Sequence, residues 1–291
     1  MTTKIGTILF PIDFSHRSVL AAQHVKIWAD RFGTVLNVLH ILDAQALGYS
    51  PERRDDFLYN ELPNLLVRRT ADLKYFCDQY FGENVARPTV LSGGTADEIE
   101  YFAKRENIDL IMLPRNHQNL GSRILEDSLT AKLLDRCPAS VWTTEYVDDL
   151  PPSPVHSILC AMHFEQDMTL DAQNHRMFQT VRELASTFQA TVAFLHVMNG
   201  AAEESSGSVA HLQAVAEMEP LVAKAHELFG SSAEILRKSG DIITAISHTA
   251  KQLAADLIVV GRTRPGTIGL GRQTHILKID HAAHRPVLSV W

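Results

Sequence analysis

The chain has little cysteine, no long hydrophobic run and no excess of positive charge. Its three cysteines, Cys77, Cys137 and Cys160, lack Cys-x-x-Cys spacing, which excludes a disulfide framework and a thiolate zinc site. No apolar stretch approaches the roughly 18 residues of a membrane helix. The first residues also lack the basic and hydrophobic regions of a signal peptide. We therefore predict a cytoplasmic protein with no membrane partner.

Acidic residues outnumber basic ones, since 34 Asp+Glu face 27 Lys+Arg and the formal net charge is -7. Nucleic-acid affinity depends largely on concentrated positive charge, so a nucleic-acid partner is not expected. At roughly 150 residues per domain, the 291 residues predict two domains.

An internal repeat organises the chain. Ser92-Gly93 recurs as Ser239-Gly240, and Asp109-Leu110-Ile111 recurs as Asp256-Leu257-Ile258, with the same displacement of 147 positions. Prolines cluster between the copies in 151–154, where they favour an extended spacer. We predict domain 1 at residues 1–147, a linker at 148–156 and domain 2 at 157–291.

Short apolar runs alternate with helical patterns in both copies. The predicted strands are 7–12, 35–41, 86–91, 110–113 and 139–143 in domain 1, and 157–162, 191–197, 234–237, 257–260 and 287–290 in domain 2. Apolar runs separated by helices of ten or more residues indicate parallel βαβ units. The predicted fold is α/β, with two tandem five-stranded doubly wound parallel-sheet domains.

Such sheets bind ligands outside the carboxyl ends of their strands. Asp13 ends the first strand, where it can accept from a ligand or cap the next helix; the cap is the simpler interpretation. His40 and His196 are interpreted as core or rim residues of the second strands. Ser15 is interpreted as a helix cap rather than a nucleophile. His281 and His284 have metal-like spacing but no matching acidic set, so exposed histidines explain them more simply.

The loop from Gly261 to Thr274 joins a strand to a helix. Its four glycines allow close backbone approach, its three arginines supply positive charge, and Thr274 can cap a helix whose free N–H groups attract an anion. This pattern predicts a phosphate cradle, against the alternative of a solvated surface loop. The equivalent loop of domain 1 starts at Pro114, which has no N–H to offer, and keeps one glycine, Gly121, so it is poorly suited to phosphate.

Several motifs stand in the same register in both copies. They include the strand ending in Ile12-Asp13, the strand end Leu39-His40-Ile41, the Asp109-Leu110-Ile111 run and the closing Cys137-Pro138. Together they resemble the universal stress protein family. The resemblance implies five-stranded domains of the adenine nucleotide alpha hydrolase-like type and dimer pairing through the last strand. In some members it also implies ATP held by a Gly-x2-Gly-x9-Gly-[Ser/Thr] loop.

This chain departs from that loop motif. The first glycine falls on Gly261, the second on Arg264, and the final pair on Gln273-Thr274; the aspartate near adenine is Asp13 in domain 1 but His163 in domain 2. The resemblance thus implies a non-catalytic stress-response protein with ATP or AMP in domain 2. Its expected site residues are Ala161, His163, Val197, Gly261, Arg262, Arg264, Arg272, Gln273 and Thr274.

Two other functions remain open at this stage. One is a structural or protein-interaction module in which neither domain binds nucleotide and side chains such as His117 or Arg264 fill the pockets. The other, an ATP hydrolase, lacks an identifiable base, magnesium ligands and a water-positioning residue. Because the copies are fused, we expect their last strands to pair as an internal pseudo-dimer. Association of the chain into a further homo-oligomer is left open.

Overall fold

A computed structural model gives the architecture of the chain. It describes residues 5–43, 56–114, 129–144, 152–162, 172–198, 219, 222–230, 233–262 and 272–291. Of residues 56–60, 172–173 and 272–274 only the backbone is described. The loops that carry His117, His163 and Arg264 lie outside the described residues.

Domain 1 alternates strands and helices. Its elements are β1 (Thr7–Ile12), α1 (His16–Phe32), β2 (Val35–Leu42), α2 (Asp56–Tyr80), β3 (Ala86–Ser92), α3 (Thr95–Arg105), β4 (Leu110–Pro114), α4 (Leu129–Arg136) and β5 (Ser140–Thr144). Each predicted strand of this domain is present to within one residue at either end.

Domain 2 repeats the alternation. Its elements are β6 (Ser157–Met162), α5 (Ala172–Phe188), β7 (Thr191–Met198), α6 (222–229), β8 (Glu234–Ser239), α7 (Ile242–Gln252), β9 (Leu257–Gly261), α8 (Arg272–Ala283) and β10 (Val287–Val290). The predicted strands of this domain are present as well, with β8 two residues longer than expected.

Strand order defines a doubly wound sheet in each domain. Domain 1 has the order β3-β2-β1-β4-β5, and domain 2 has the order β10-β9-β6-β7-β8. The first strand of each copy pairs in parallel with its neighbours on both sides. The chain therefore reverses its direction of winding between β1 and β4 and between β6 and β9. These two switch points are where such sheets bind ligands.

Apolar side chains on both faces of the strands form the core. In β1, Ile8, Leu9 and Phe10 are fully buried, and β9 buries Leu257, Ile258 and Val259. Strands that are buried on both faces must be covered by helices on both sides, which is the arrangement that the apolar runs predicted.

Local sequence signals set the ends of α1. Ser15 is the N-cap, and its Oγ accepts from the Ser18 N–H at 3.4 Å. Gly33 ends the helix with φ 61°, a left-handed conformation that glycine adopts without the usual steric cost. The capping role predicted for Ser15 is confirmed.

Contacts divide the chain into two compact units, made mainly of Ile5–Trp142 and of Pro154–Trp291. The exact domain and linker limits given above stay predictions. Within the described ranges, no helix combines the length and apolar character that crossing a membrane requires.

Candidate functional site

The switch point of domain 2 lies between β6 and β9. Ala161 of β6 is in register with Val260 of β9, and Gly261 follows Val260 directly as the last residue of that strand. The start of the glycine-rich loop is therefore at the position where the sheet topology predicts a ligand. Ala161 and Val197 are both buried, near the carboxyl ends of the adjacent strands β6 and β7.

Arg262, the first loop residue, is held against the end of the chain. Its backbone N–H donates to the Val290 carbonyl at 2.8 Å, and its guanidinium carbon lies 4.7 Å from the Trp291 ring centroid. The residue is buried. Its N–H thus extends the ladder between β9 and β10, and its side chain makes a cation–π contact with Trp291.

Helix α8 begins at Arg272, earlier than the expected start at Thr274. Arg272, Gln273 and Thr274 therefore occupy its first turn. The first four N–H groups of a helix have no partner within the helix, and together with the helix dipole they favour an anion. A helix N-terminus therefore follows the loop that starts at Gly261, as the predicted phosphate cradle requires.

A histidine in the second strand of each domain contacts the end of the first strand. His40 Nδ1 lies 2.9 Å from the Ile12 carbonyl, and His196 Nδ1 lies 3.4 Å from the Met162 carbonyl. A carbonyl can only accept, so in each contact the ring Nδ1 donates. Both histidines are buried, as their interpretation as core or rim residues required.

Asp13 of domain 1 participates in helix capping. Its Oδ1 accepts from the Ser15 N–H at 2.9 Å and from the Ser18 hydroxyl at 2.8 Å. Burial raises the pKa of Asp13, but the hydrogen bonds from Ser15 and Ser18 outweigh it and leave the pKa below its ordinary value. The carboxylate is exposed and ionised at neutral pH.

Phe14 makes ring contacts at the carboxyl end of the domain 1 sheet that the sequence did not predict. Its ring centroid lies 4.6 Å from that of His40 and 6.2 Å from that of Phe76, and the Arg69 guanidinium carbon lies 5.6 Å above it. We call these four residues the Phe14 cluster. The sequence does show an aromatic residue directly after the carboxylate at the end of β1. It does not show which residues contact that ring, because its partners on α2 are far away in sequence.

The pKa of His40 depends on its burial and on the groups around it. Burial lowers it, as does the nearby Arg69 charge, while the bond to Ile12 and the charges of Asp13 and Asp72 act in the opposite direction. The net result is a pKa below the ordinary value of 6.5. His40 is therefore neutral at pH 7.

The cysteines and the two histidines of α8 are the remaining candidate groups. The three cysteines are buried and form no disulfide with one another, and burial raises the pKa of Cys77 to about 12 and also raises that of Cys160, so these two thiols are not nucleophilic at neutral pH. His281 and His284 have ring centroids 6.5 Å apart. No group of three metal-ligating side chains occurs in the part of the chain that the structure describes.

Comparison with known structures supports the fold along the whole length. A universal stress protein from Archaeoglobus fulgidus DSM 4304 matches with a TM-score of 0.67 and 17% identity, over 99% of this chain and 97% of that one. A functionally unknown protein from Pseudomonas aeruginosa PAO1 matches with a TM-score of 0.62 and 16% identity, over 99% and 93%.

A third solved structure that matches is the cytoplasmic domain of a prokaryotic cation chloride cotransporter. It has a TM-score of 0.55 and 12% identity, over 98% of this chain and 94% of that one. At such identities these likenesses show the fold alone. No curated protein matches the chain.

The family is shown by sequence. The model of the universal stress protein family matches twice, over residues 4–144 and 168–290, so each match falls on one copy of the repeat. Together the two matches cover most of the chain. The chain therefore belongs to the universal stress protein family and carries two of its domains in tandem.

Proposed function

We propose that this protein is a non-catalytic, cytoplasmic stress-response protein that binds an adenine nucleotide, ATP or AMP, in domain 2. One observation carries the proposal: Gly261 directly follows Val260, the register partner of Ala161, at the point where the strand order reverses. A glycine there lets a ligand approach the backbone closely.

Each expected site residue has a role in this proposal. Ala161, His163 and Val197 line the base and ribose. The loop amides from Gly261 onward, with Gln273 and Thr274 in the first turn of α8, hold the phosphates. Arg262, Arg264 and Arg272 neutralise their charge.

The observed position of Arg262 specifies how it would act on the phosphates. Since its guanidinium lies on Trp291, Arg262 contributes positive charge to the start of the loop from a fixed place. Because Arg262 is buried, a direct phosphate contact would require its side chain to move.

Calorimetry of the full chain with ATP tests the proposal. Gly261→Val should weaken ATP binding at least about tenfold, because a β-branched side chain blocks the close approach. The matched control is Pro114→Val, which changes the corresponding strand end of domain 1 and should leave the affinity unchanged. No heat of binding at millimolar ATP for the wild-type chain would refute nucleotide binding.

A second candidate function is a protein-interaction module without nucleotide, and the Phe14 cluster favours it for domain 1. There the ring of Phe14 packs against His40 and Arg69 after the end of β1. The two functions differ in the absorbance of freshly purified protein. A nucleotide contribution at 260 nm that is lost in Gly261→Val favours the first function, and its absence from a protein that also fails to bind added ATP favours the second.

We also propose, from the sequence, that the last strands of the two domains pair as an internal pseudo-dimer. Solution scattering of the full chain tests it, because two separated lobes would contradict it.

A further inference from the structure

Helix α2 exposes a row of apolar side chains. Val67 and Tyr75 are each 71% exposed, and Ala71 between them is exposed as well. Positions i, i+4 and i+8 lie on one face of a helix, so the three side chains form a row about 12 Å long. We call these three residues the α2 stripe.

The stripe lies on the side of α2 that faces away from the core. The buried side chains nearest to it in sequence are Leu73, Phe76 and Cys77. At about 100° per residue, these three lie on the side of the helix opposite to Ala71. They account for the packing of α2 on β2 and β3. The stripe is therefore apolar surface that the sheet of domain 1 does not use.

One flank of the stripe carries two exposed charges, Arg68 and Asp72, one helical turn apart. Asp72 Oδ2 accepts from Arg69 Nη1 at 3.2 Å, and its Oδ1 has no partner among the described residues. Arg68 forms no ion pair with the residues that the structure describes. A positive group and a carboxylate oxygen are thus available for contacts beside the apolar row.

Two copies of the stripe complement each other when the helices run antiparallel. With a twofold axis at Ala71, Val67 of one copy faces Tyr75 of the second copy, because both lie four residues from the axis. The same flank of each helix meets in an antiparallel pair, which brings Arg68 of each copy beside Asp72 of the other. Opposite charges on the flanks of paired helices favour one relative direction.

Domain 2 does not repeat the stripe. The helix before the third strand is followed by Phe-Gly in both domains, at residues 81–82 and 229–230. With these pairs aligned, the two large members of the stripe fall on alanines and Ala71 falls on Glu219. A self-complementary surface that occurs once in a chain closes at two copies and does not build longer assemblies.

We propose that two copies of this chain associate through the α2 stripe, with their α2 helices antiparallel about a twofold axis at Ala71. Burial of the apolar row drives the association, and the contacts between Arg68 and Asp72 set its direction. A single helix pair forms a small interface, so we expect micromolar rather than nanomolar affinity. The inference goes beyond the proposed function and does not depend on nucleotide binding.

Sedimentation equilibrium of the full chain, from about 5 to 300 μM, tests the proposal. Wild type should show a monomer–dimer equilibrium. The double variant Val67→Ser/Tyr75→Ser should weaken dimerisation at least about tenfold, because each dimer loses both side chains twice. The matched control is Tyr101→Ser, which removes a tyrosine that is 58% exposed on α3, the helix that packs against α4. It should dimerise as wild type does.

Charge exchange tests the antiparallel direction. Arg68→Glu places two carboxylates together across the interface and should weaken dimerisation several-fold. Adding Asp72→Arg to that variant restores opposite charges between the copies and should recover the affinity. Lys104→Glu makes the same change of charge on α3 and should leave dimerisation unchanged. An exchange that does not recover the affinity overturns the antiparallel arrangement.

Two results overturn the inference as a whole. One is a wild-type chain that stays monomeric up to about 300 μM. The other is a dimer that Val67→Ser/Tyr75→Ser leaves intact, since the association would then use another surface, such as the last strands of two chains. Native circular dichroism of each variant shows that a lost dimer is not a lost fold. ATP binding is measured separately, and its failure would leave this dimer unaffected.

Discussion

The carboxylate of Asp109 binds Thr7 at the amino edge of the domain 1 sheet. Its Oδ2 accepts from the Thr7 N–H and from the Thr7 hydroxyl, both at 2.9 Å, and from the Gly6 N–H at the same distance. In domain 2, Asp256 Oδ2 accepts from the N–H groups of His156 and Ser157. The aspartate of the repeated Asp-Leu-Ile run therefore fastens the start of the first strand to the fourth in both copies.

Removing this carboxylate should destabilise domain 1. Hydrogen bonds to a charged group contribute about 1.5–3 kcal/mol, and exposure reduces this, so we expect Asp109→Ala to cost about 1 kcal/mol. Scanning calorimetry should show a fall of roughly 2–4 °C in the melting temperature. The control is Asp30→Ala, which breaks only the exposed pair with Lys26 and should change the melting temperature less. Equal shifts for both variants would contradict the assigned role.

Glycine should replace Phe14 with less loss of stability than alanine. Both substitutions remove the same ring, but a left-handed conformation costs an L-residue about 1–2 kcal/mol, and glycine avoids this. Phe14→Gly should therefore melt a few degrees above Phe14→Ala in scanning calorimetry. At Phe32, inside the last turn of α1, the order should reverse because glycine is a poor helix former. An alanine variant as stable as the glycine variant at position 14 would show that the backbone there is relaxed.

The sequence predicts the fold closely and the site only in part. Short apolar runs locate the strands because burial on both faces leaves few choices of residue, and the Asp109 and Asp256 runs fix the repeat. The Phe14 cluster could not be predicted, since it depends on a left-handed backbone at a non-glycine residue and on α2 residues more than fifty positions away. The contact of Arg262 with Trp291 is of the same kind: a charged loop residue gives no sign that an aromatic ring will cover it.

Acid should destabilise the protein partly through His40. Its folded pKa is below the ordinary value of 6.5, so the unfolded chain takes up the proton first as the pH falls. The contribution of neutral His40 is complete above about pH 6.5 and is lost as the pH falls below that value toward the folded pKa. Between pH 7.5 and 5.5 the melting temperature of wild type should therefore fall more than that of His40→Gln.

The pH range above 7.5 serves as the control for the comparison of wild type with His40→Gln. Above pH 7.5 His40 is neutral in both the folded and the unfolded chain, so the two proteins should show parallel profiles there. A parallel profile below pH 6.5 as well would mean that burial of His40 does not disfavour its charged form.

A missing helix cap in domain 1 can be supplied. Asp241 caps α7 by accepting from the Thr244 N–H at 2.8 Å, whereas the N-cap of the corresponding α3 is Gly94, which has no side chain to do so. Gly94 has φ -71° and ψ 123°, which any residue can adopt. Gly94→Ser should raise stability by a few tenths of a kcal/mol, seen as a small rise in melting temperature. Asp241→Gly should lower it, and a fall for Gly94→Ser would contradict the cap argument.

Trp291 should oppose a direct contact between Arg262 and a phosphate. The guanidinium is 4.7 Å from the indole centroid, and a cation–π contact of this kind contributes about 0.5–2 kcal/mol, which a phosphate contact would have to replace. Weakening the ring in the order Trp291, Trp291→Phe and Trp291→Leu should then tighten ATP binding in steps, by about two- to tenfold in total. Arg262→Met in the Trp291→Leu background should abolish the gain. An ATP affinity that is the same in all three proteins would show that Arg262 acts only from its place on the ring, and its role would then be to fix the start of the loop.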